Sequence, residues 1–487
     1  MNDWSSWFEA LDRAMPRGWS PDRQAQGAFA RWAQPSEILA PGWLWKPGTA
    51  NVLLGQYQDS LVCRNDDNRH LITVAGTRAG KGRSLILPNL ITWPGSAIVI
   101  DPKGELARKT ARWRNEGLKQ SVVVLDPFGV SGWKGTSYNP LDDIDPASDS
   151  VMDDVAMIAD ALITNESTGD RHWTDSAKNL IRLLILYMFT DGGEATFLRL
   201  RRILLGDEGQ LSGRDKDSGS PNLFTRMMET DGFDGYVKLV AANFYDKHDR
   251  ELSSILSVTR EQLSFLDSKR LPGVLEPSGF TIESINQQPT TVYMCLPASR
   301  LATHFRWLRV IVNLAMAKLE SRGQVQPLPA LLLLEEFATL GHMEAIEKAA
   351  GQIAGFGVKL WVVLQDLGQL KAIYKDRWET FLGNAGITTW FGLNDLTSLE
   401  YVSKRLWTTH FVRVDKTDLT SSQRQAGAAE FREVVVGSPL LTSEEVERMF
   451  ARETTRLLVL HPGSRPVVLK RLDASDAMFN GMIDEEK

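Results

Sequence analysis

The sequence predicts an α/β fold, a mainly parallel sheet covered by helices, with an all-helical segment inserted between two groups of strands. Three observations carry this. Short apolar runs alternate with helix-forming stretches across residues 51–145 and again from residue 286, the pattern of strands buried on both faces. One such run, Leu71–Val74, leads directly into Ala75-Gly76-Thr77-Arg78-Ala79-Gly80-Lys81-Gly82, a small-residue turn followed by a helix-forming stretch. Residues 146–285, in contrast, read as helices with few strand signals.

Bulk properties narrow the class. The 487 residues suit roughly three domains, or one large domain with an insertion. A hydrophobic content of 43% and a charged content of 24% fit a globular protein with a large core. At a net charge of −6, any nucleic-acid contact must come from a local basic surface. Cys63 and Cys295 are the only cysteines; they cannot form a metal site alone, and so low a count suits a reducing cytosol. The longest apolar stretches, Leu328–Leu334 and Leu180–Phe189 with Arg182 inside it, fall short of the ~20 residues that span a bilayer. Met1–Pro16 carries Asp3, Glu9 and Asp12 and lacks both a basic start and an apolar core, so it is not expected to be a signal peptide.

The elements follow in order. Residues 1–50 hold six of the 15 tryptophans, Trp4, Trp7, Trp19, Trp32, Trp43 and Trp45, separated by prolines and glycines. Their rings either pack onto the main body or form a docking surface for a partner or a membrane interface. Leu71–Val74 is a strand, Ser84–Leu90 begins a helix that Pro94-Gly95 ends, and Ala97–Ile100 and Ser121–Leu125 are further strands. These end in Asp101-Pro102-Lys103-Gly104-Glu105 and Asp126-Pro127-Phe128-Gly129; strand C-termini are where parallel sheets place ligands. Helices are expected over Asp149–Leu162, Thr174–Phe189, Ala195–Leu205, Pro221–Thr230, Phe233–Phe244 and Asp249–Leu266, with a polar loop at Gly206–Ser220. Strands return at Thr291–Leu296, Ala330–Leu334, Val358–Leu364 and Thr388–Gly392, with a long helix near Ala302–Ser321. Ser421–Ala429 reads as a polar, mobile loop, and Arg456–Leu460 with Val467–Arg471 as a terminal hairpin. The implied domains are a Trp-rich segment at 1–50, a nucleotide-binding domain at 51–145 and 286–472, an all-α domain at 146–285, and a tail at 473–487.

Three motifs carry chemistry. The Ala75–Gly82 turn reads as a phosphate-binding loop: its backbone N–H groups form an anion nest at the start of a helix, and Lys81 reaches the terminal phosphates. Thr77, Arg78, Ala79, Gly80, Lys81, Gly82, Arg83 and Ser84 are the candidate nucleotide-binding residues. Ala75 stands where Gly is usual, and Gly82 where a Ser or Thr would hold Mg²⁺, so Ser84 or water must supply that ligand. The apolar run Leu328–Leu334 ends in Glu335 and Glu336. The first acid would orient Mg²⁺ through water and the second would activate the attacking water; the competing reading is two solvated acids at a turn. Gln365 ends the next apolar strand and could contact the γ-phosphate or the lytic water, or simply occupy a surface turn.

At this point the chain resembles a known family. Ala75–Gly82, Asp101–Glu105, Asp126–Gly129, Tyr138-Asn-Pro-Leu141, Trp173-Thr-Asp-Ser-Ala-Lys178, Glu336-Phe-Ala-Thr-Leu-Gly341, Ala354-Gly-Phe-Gly357, Leu364-Gln-Asp-Leu-Gly-Gln-Leu370 and Asn394-Asp395 occur in that order. Together they resemble the type IV secretion coupling-protein family, the ATPases of bacterial conjugation and effector export, over residues 50–472. The resemblance implies a RecA-like P-loop NTPase domain carrying an all-helical domain, with ATP and Mg²⁺ as ligands. It also implies a homo-hexameric ring, or a monomer until substrate binds, with Lys81 on phosphate, Glu335 and Glu336 on metal and water, and Gln365 as sensor. Gly82 is itself usual in the family.

Expected partners are DNA, single-stranded and carried with a relaxase, or a secreted protein, together with a type IV secretion channel or a membrane-anchoring subunit. The chain would be cytoplasmic, or peripheral at the inner membrane. The family's usual Asp is Glu335 here, and no Arg precedes Gly355-Phe356-Gly357, so an arginine acting on a neighbour's nucleotide would come from elsewhere, such as Arg300, Arg377 or Arg405. The N-terminal membrane anchor of typical members is not evident. Arg199, Arg201, Arg202, Lys247, Arg250 and Lys371 are candidate contacts for a DNA strand, each also readable as a solvated surface charge. A protein-effector platform with weak turnover, and a soluble DNA translocase of a mobile element or defence system, remain as alternative functions.

Overall fold

The structure, a computed structural model, describes residues 30–64, 67–164, 171–211, 222–321, 328–416 and 431–485. The Ser421–Ala429 loop, most of the Gly206–Ser220 loop, and Trp4, Trp7 and Trp19 lie outside the described residues. Thirteen strands occur among those described. They are β1 (Gly55–Tyr57), β2 (Ser60–Val62), β3 (Leu71–Ala75), β4 (Ala97–Asp101), β5 (Ser121–Leu125), β6 (Thr290–Cys295), β7 (Ala330–Leu334), β8 (Val358–Leu364), β9 (Ile387–Phe391), β10 (Thr408–Lys416), β11 (Phe431–Pro439), β12 (Arg456–Leu460) and β13 (Val467–Lys470). Two compact units result, one from Met1–Trp93 and Val362–Asn480, the other from Pro94–Trp361 and Gly481–Lys487.

In the first unit the strand order is β2-β1-β13-β12-β9-β3. The β3–β9 pair is parallel, with Ala75 opposite Phe391, whereas β12, β13, β1 and β2 add antiparallel partners. Every residue of β3 and β9 is buried, as their unbroken Leu-Ile-Thr-Val and Ile-Thr-Thr-Trp-Phe runs require of strands covered on both faces. The only polar side chains among them pair with each other or with a neighbour: Thr73 and Thr389 share a hydrogen bond of 2.8 Å, and Trp390 Nε1 donates to Thr388 Oγ1 at 2.8 Å. Such pairing is what makes burial of a hydroxyl tolerable. Of the described tryptophans near the N-terminus, Trp43 is buried edge-on to His461 with the Arg64 guanidinium over its ring, so this part packs onto the body of its unit.

The second unit carries the order β7-β4-β6-β5, all parallel. Between β5 and β6 the described chain is helical: Val151–Leu162, Arg171–Thr190, Phe197–Leu205, Leu223–Met228, Tyr236–Tyr245 and Asp249–Gln262. Local rules account for their ends. Thr196 Oγ1 caps the Arg199 N–H at 3.1 Å, and Gly206, with φ of 91°, lets the same helix end in a left-handed turn. The long helix Ala298–Ser321 starts four residues earlier than the sequence suggests. β8 carries the chain from the second unit into the first and is buried along its whole length.

Two features depart from expectation. The stretch after the Ala75–Gly82 turn is not a plain helix from Ser84: a π-helical turn spans Gly82–Ile86 and an α-helix follows over Leu87–Thr92. Pro88 has no N–H to return to the turn before it, and a widened turn absorbs the break. The two-stranded ribbon β10–β11 and the short hairpin β1–β2 were not anticipated.

Candidate active site

β3 delivers the chain into the loop with all five of its residues buried. Within the loop Arg78 (φ 59°) and Gly80 (φ 89°) are both left-handed, which turns successive N–H groups toward one concave side. Thr77, Arg78 and Gly80 are exposed, Ala79 is buried and Lys81 is half-buried. The loop closes on itself through Ala79 N–H to Gly76 O at 3.2 Å and Ser84 N–H to Gly80 O at 2.8 Å.

The small residues are required by contact. A Cβ on Gly76 would come within 2.2 Å of the Gly392 carbonyl oxygen, and a Cβ on Gly392 within 2.5 Å of Ala79 Cβ. Gly392 follows β9, the parallel neighbour of β3, and has a φ of 62°. It therefore acts as the floor of the loop, a role that its place at the end of a strand hinted at but did not declare. Gly82 has open space around its Cα, so its lack of a side chain is not a packing demand.

Ser84, the candidate metal ligand, is buried, and its hydroxyl donates back to Gly80 O at 2.9 Å, so its proton is already committed within the loop while its lone pairs stay on the oxygen.

Gln365, at the end of β8, is brought to the loop: Thr77 Oγ1 donates to its Oε1 at 2.9 Å. With Oε1 accepting from Thr77, the donor end of this amide is Nε2. Gln369 Oε1 accepts from the Gln365 N–H at 3.2 Å, and Asp366 caps the following helix through the Gln369 N–H at 2.8 Å.

Two further groups fix the loop from the end of the chain. Arg471 Nη1 donates to Ala79 O at 2.5 Å. Arg83 pairs with Asp473 at 2.7 Å and reaches Ser475 Oγ at 3.1 Å, while the Ala474 N–H donates to Arg83 O at 3.0 Å.

In the second unit, β7 is wholly buried and ends in Glu335 and Glu336, both half-buried. Glu336 sits in the left-handed region, with φ of 54° and ψ of 40°, at the head of the short helix Phe337–Leu340. A non-glycine residue held there costs about 1–3 kcal/mol and persists where its surroundings over-determine it. Thr339 supplies part of that constraint, donating to Glu336 O from its N–H at 2.9 Å and from Oγ1 at 2.8 Å. Arg309 supplies more. Buried in the long helix, it donates from Nη1 to Leu340 O and His342 O, each at 2.7 Å, and from Nε to Ala161 O at 3.2 Å.

Asp101, at the end of β4 beside β7, and Asp126, just past β5 at the sheet edge, are hydrogen-bonded within the turns that follow them. Asp101 Oδ2 accepts the Ala107 N–H at 2.8 Å and caps the helix Glu105–Glu116; burial pushes its carboxyl up to about 6. Asp126 Oδ2 takes both the N–H and Oγ of Ser131, at 2.7 and 2.6 Å. A Cβ on Gly104 would lie 2.6 Å from the Ser131 nitrogen, so the glycine of the Asp101–Glu105 motif lets these two turns meet. Lys103 is exposed, and Glu105 pairs with Lys109 at 2.6 Å. Tyr138, of the Tyr138–Leu141 motif, donates to Asp143 at 2.6 Å in the interior.

The candidate strand contacts divide. Arg199 forks onto Asp191 and Glu208, and Arg201 is buried on Asp267 and the Arg260 carbonyl; both are internal struts. Lys247 pairs with Glu251. Arg202, Arg250 and Lys371 are exposed, as are Arg300, Arg377 and Arg405.

Comparison with known proteins gives a consistent result. A conjugal transfer protein TraG of Escherichia coli is 28% identical over 379 residues, which is 70% of this chain and 58% of that protein. A second TraG of the same organism is 27% identical, covering 86% of this chain and 71% of its own length. Protein VirD4 of Rhizobium radiobacter is 26% identical over 75% of this chain and 52% of its own length. The chain thus spans little more than half of two of these three relatives. Among solved structures, the unbound conjugative coupling protein TrwBdeltaN70 matches with a TM-score of 0.65 at 16% identity, covering 96% of this chain and all of that one. The same protein in complex with the ATP analogue ADPNP matches with a TM-score of 0.64 at 15% identity. The fold is that of this coupling protein, an α/β fold with a mostly parallel sheet. The family model for type IV secretory system conjugative DNA transfer proteins matches from residue 31 to residue 473, and the chain belongs to that family.

Proposed function

We propose that the protein is an ATPase that recruits DNA, or a nucleoprotein complex carrying it, and drives it toward a type IV secretion channel. The observation that carries the nucleotide reading is the loop itself: two left-handed residues, Arg78 and Gly80, curve it into an anion nest with Lys81 at its exit and Gln365 tied to Thr77. TrwB structures with ADPNP and with ADP and Mg²⁺ support the same ligands here.

In this reading the loop N–H groups of Thr77–Gly82 other than that of Ala79, which donates to Gly76 O, cradle the β-phosphate, and Lys81 neutralises the β and γ oxygens. Glu336 takes the proton of the attacking water, and Glu335 accepts from water in the metal shell. Gln365 donates from Nε2 to the γ-phosphate or the lytic water. Among the described residues no three His, Cys, Asp or Glu side chains gather as a metal site. That suits Mg²⁺, which keeps several waters and binds through phosphate oxygens; bound there, it would neutralise charge developing on the β and γ oxygens.

A homo-hexamer at the cytoplasmic face of the membrane is part of the proposal, with Arg300, Arg377 or Arg405 as the arginine offered to a neighbouring subunit. No described helix is long and apolar enough to cross a membrane, so a membrane-anchoring subunit or another segment would hold it there.

The test is ATP hydrolysis by purified protein with and without single-stranded DNA. Stimulation by DNA, lost together with nucleotide binding in Lys81→Ala, is the expected outcome. Unchanged nucleotide binding by Lys81→Ala would sink the phosphate-loop reading. A protein-recruitment platform is the second reading, favoured by Arg199 and Arg201 being committed to internal carboxylates. No stimulation by DNA, with tight binding of a secreted protein, would select it.

A further inference from the structure

We propose that Arg471 is a positioning residue for the nucleotide: it clamps the phosphate loop in its anion-binding curve and sets a fixed positive charge behind it. This rests on the nucleotide reading of the loop given above.

Arg471 lies just past β13. Its Nη1 donates to Ala79 O, and its Nη2 donates to Arg452 O at 2.8 Å and to Thr454 O. The guanidinium carbon stands 4.9 Å from the centre of the Phe391 ring, the last residue of the strand that pairs with β3. A Cβ added to Gly80 would be 3.9 Å from Nη1, which places the cation directly against the left-handed corner of the loop.

All its acceptors are neutral carbonyls, and its Nε is buried without a hydrogen-bond partner. No carboxylate among the described residues pairs with it; Glu453 acts on it only at a distance, and burial holds the guanidinium below its ordinary value. A half-buried cation without a counter-ion is costly unless a negative charge arrives nearby. The chemistry that would complete it is a polyphosphate in the loop. The residues that follow support the same reading, since Asp473, Ala474 and Ser475 grip Arg83 just beyond the loop. One short segment therefore holds the loop on both sides, at Ala79 and at Arg83.

A clip that only joins Ala79 to residues 452–454 would need a fork of donors and no charge. Binding of ATP, ADP and AMP by the full chain separates the two roles. Arg471→Gln should weaken ATP about tenfold, ADP less, and AMP hardly at all, because the lost interaction is with phosphate charge. Arg471→Lys keeps the charge but not the planar fork, so it should recover much of the ATP affinity while lowering Tm. It also carries the test if Arg471→Gln does not fold. Equal weakening of all three nucleotides, or wild-type affinity for ATP in both variants, overturns the inference. Wild-type protein that binds none of them, or Lys81→Ala that binds as wild type does, overturns the loop reading itself.

Discussion

The phosphate loop and the acidic turn are both strand-end loops, and each is held by one arginine that donates to three backbone carbonyls. They differ in where that arginine comes from and what it leaves unbalanced. Arg471 reaches Ala79 across 392 residues of sequence and is half-buried, with no carboxylate paired to it among the described residues. Arg309 reaches Leu340 across 31 residues, is buried, and ties the turn after Glu336 to the Ala161 carbonyl of the helical segment. On the proposal above, the first arrangement favours an incoming anion. The second holds a strained carboxylate in place and links it to helices that lie outside the strands.

The largest effects should come from the strained acid. Glu336→Gln should reduce ATP turnover by about 10²–10⁴-fold with nucleotide binding retained, as expected for loss of a proton acceptor. Glu336→Gly should be as inactive yet more stable by about 1 kcal/mol, because glycine adopts φ of 54° without cost. Steady-state hydrolysis and thermal unfolding measure the two halves. Normal turnover in Glu336→Gln would move the base elsewhere, and a fall in Tm for Glu336→Gly would mean that the left-handed turn stores no strain.

Next comes the pair of clamps. Arg309→Met removes the donors to three carbonyls, two of the contacts buried and one part-buried, and should cost about 4 kcal/mol. Arg471→Gln, at a half-buried position, should cost about half of that or less in the absence of nucleotide. Urea unfolding of both variants gives the ratio directly; equal losses would erase the distinction between a structural clamp and one that serves the ligand.

How much of this was legible follows from the range of the contacts. The loop, β7 with its two acids, and Gln365 each declare themselves within ten residues or so of sequence, through a glycine pattern or an apolar run that ends in a polar group. Gly392, Arg471 and Arg309 do not, because each matters only through a carbonyl brought near by the tertiary fold. Arg199 and Arg201 read in the sequence as strand contacts or solvated charges for the same reason: Asp191, Glu208 and Asp267 become their partners only on folding. The ribbon β10–β11 was legible in principle. Thr408–Lys416 alternates in the manner of a strand, and Val434-Val435-Val436 lies in its partner.

A third strand-end acid shows that such residues need not be reactive. Asp101 is buried with its carboxyl raised to about 6, so the native state holds the proton more tightly than the unfolded chain. Its contribution is therefore fully present below about pH 4 and is lost as the pH rises through 6, a span worth about 3 kcal/mol at most. Asp101→Asn keeps an acceptor for the Ala107 N–H and should flatten that part of the stability profile. An unchanged slope between pH 4 and 6 would mean that another group carries it.

The smallest expected effect lies within the first region, at the hydrogen bond between Thr77 and Gln365. Thr77 is exposed, so the hydrogen bond from its Oγ1 to Gln365 is worth about 0.5–1 kcal/mol and its loss should barely change Tm. Its value lies in orientation: with Oε1 occupied, Gln365 presents Nε2 as the donor. Thr77→Val removes the hydroxyl while preserving shape, so the amide can turn over. Turnover should then fall a few-fold, roughly the Boltzmann factor of that bond, with KM for ATP nearly unchanged, and Thr77→Ser should restore it. An equal rise in KM would place Thr77 on the phosphate rather than on Gln365. Single-turnover measurements with Gln365→Glu as the second variant would then show whether the two residues act as one unit or separately.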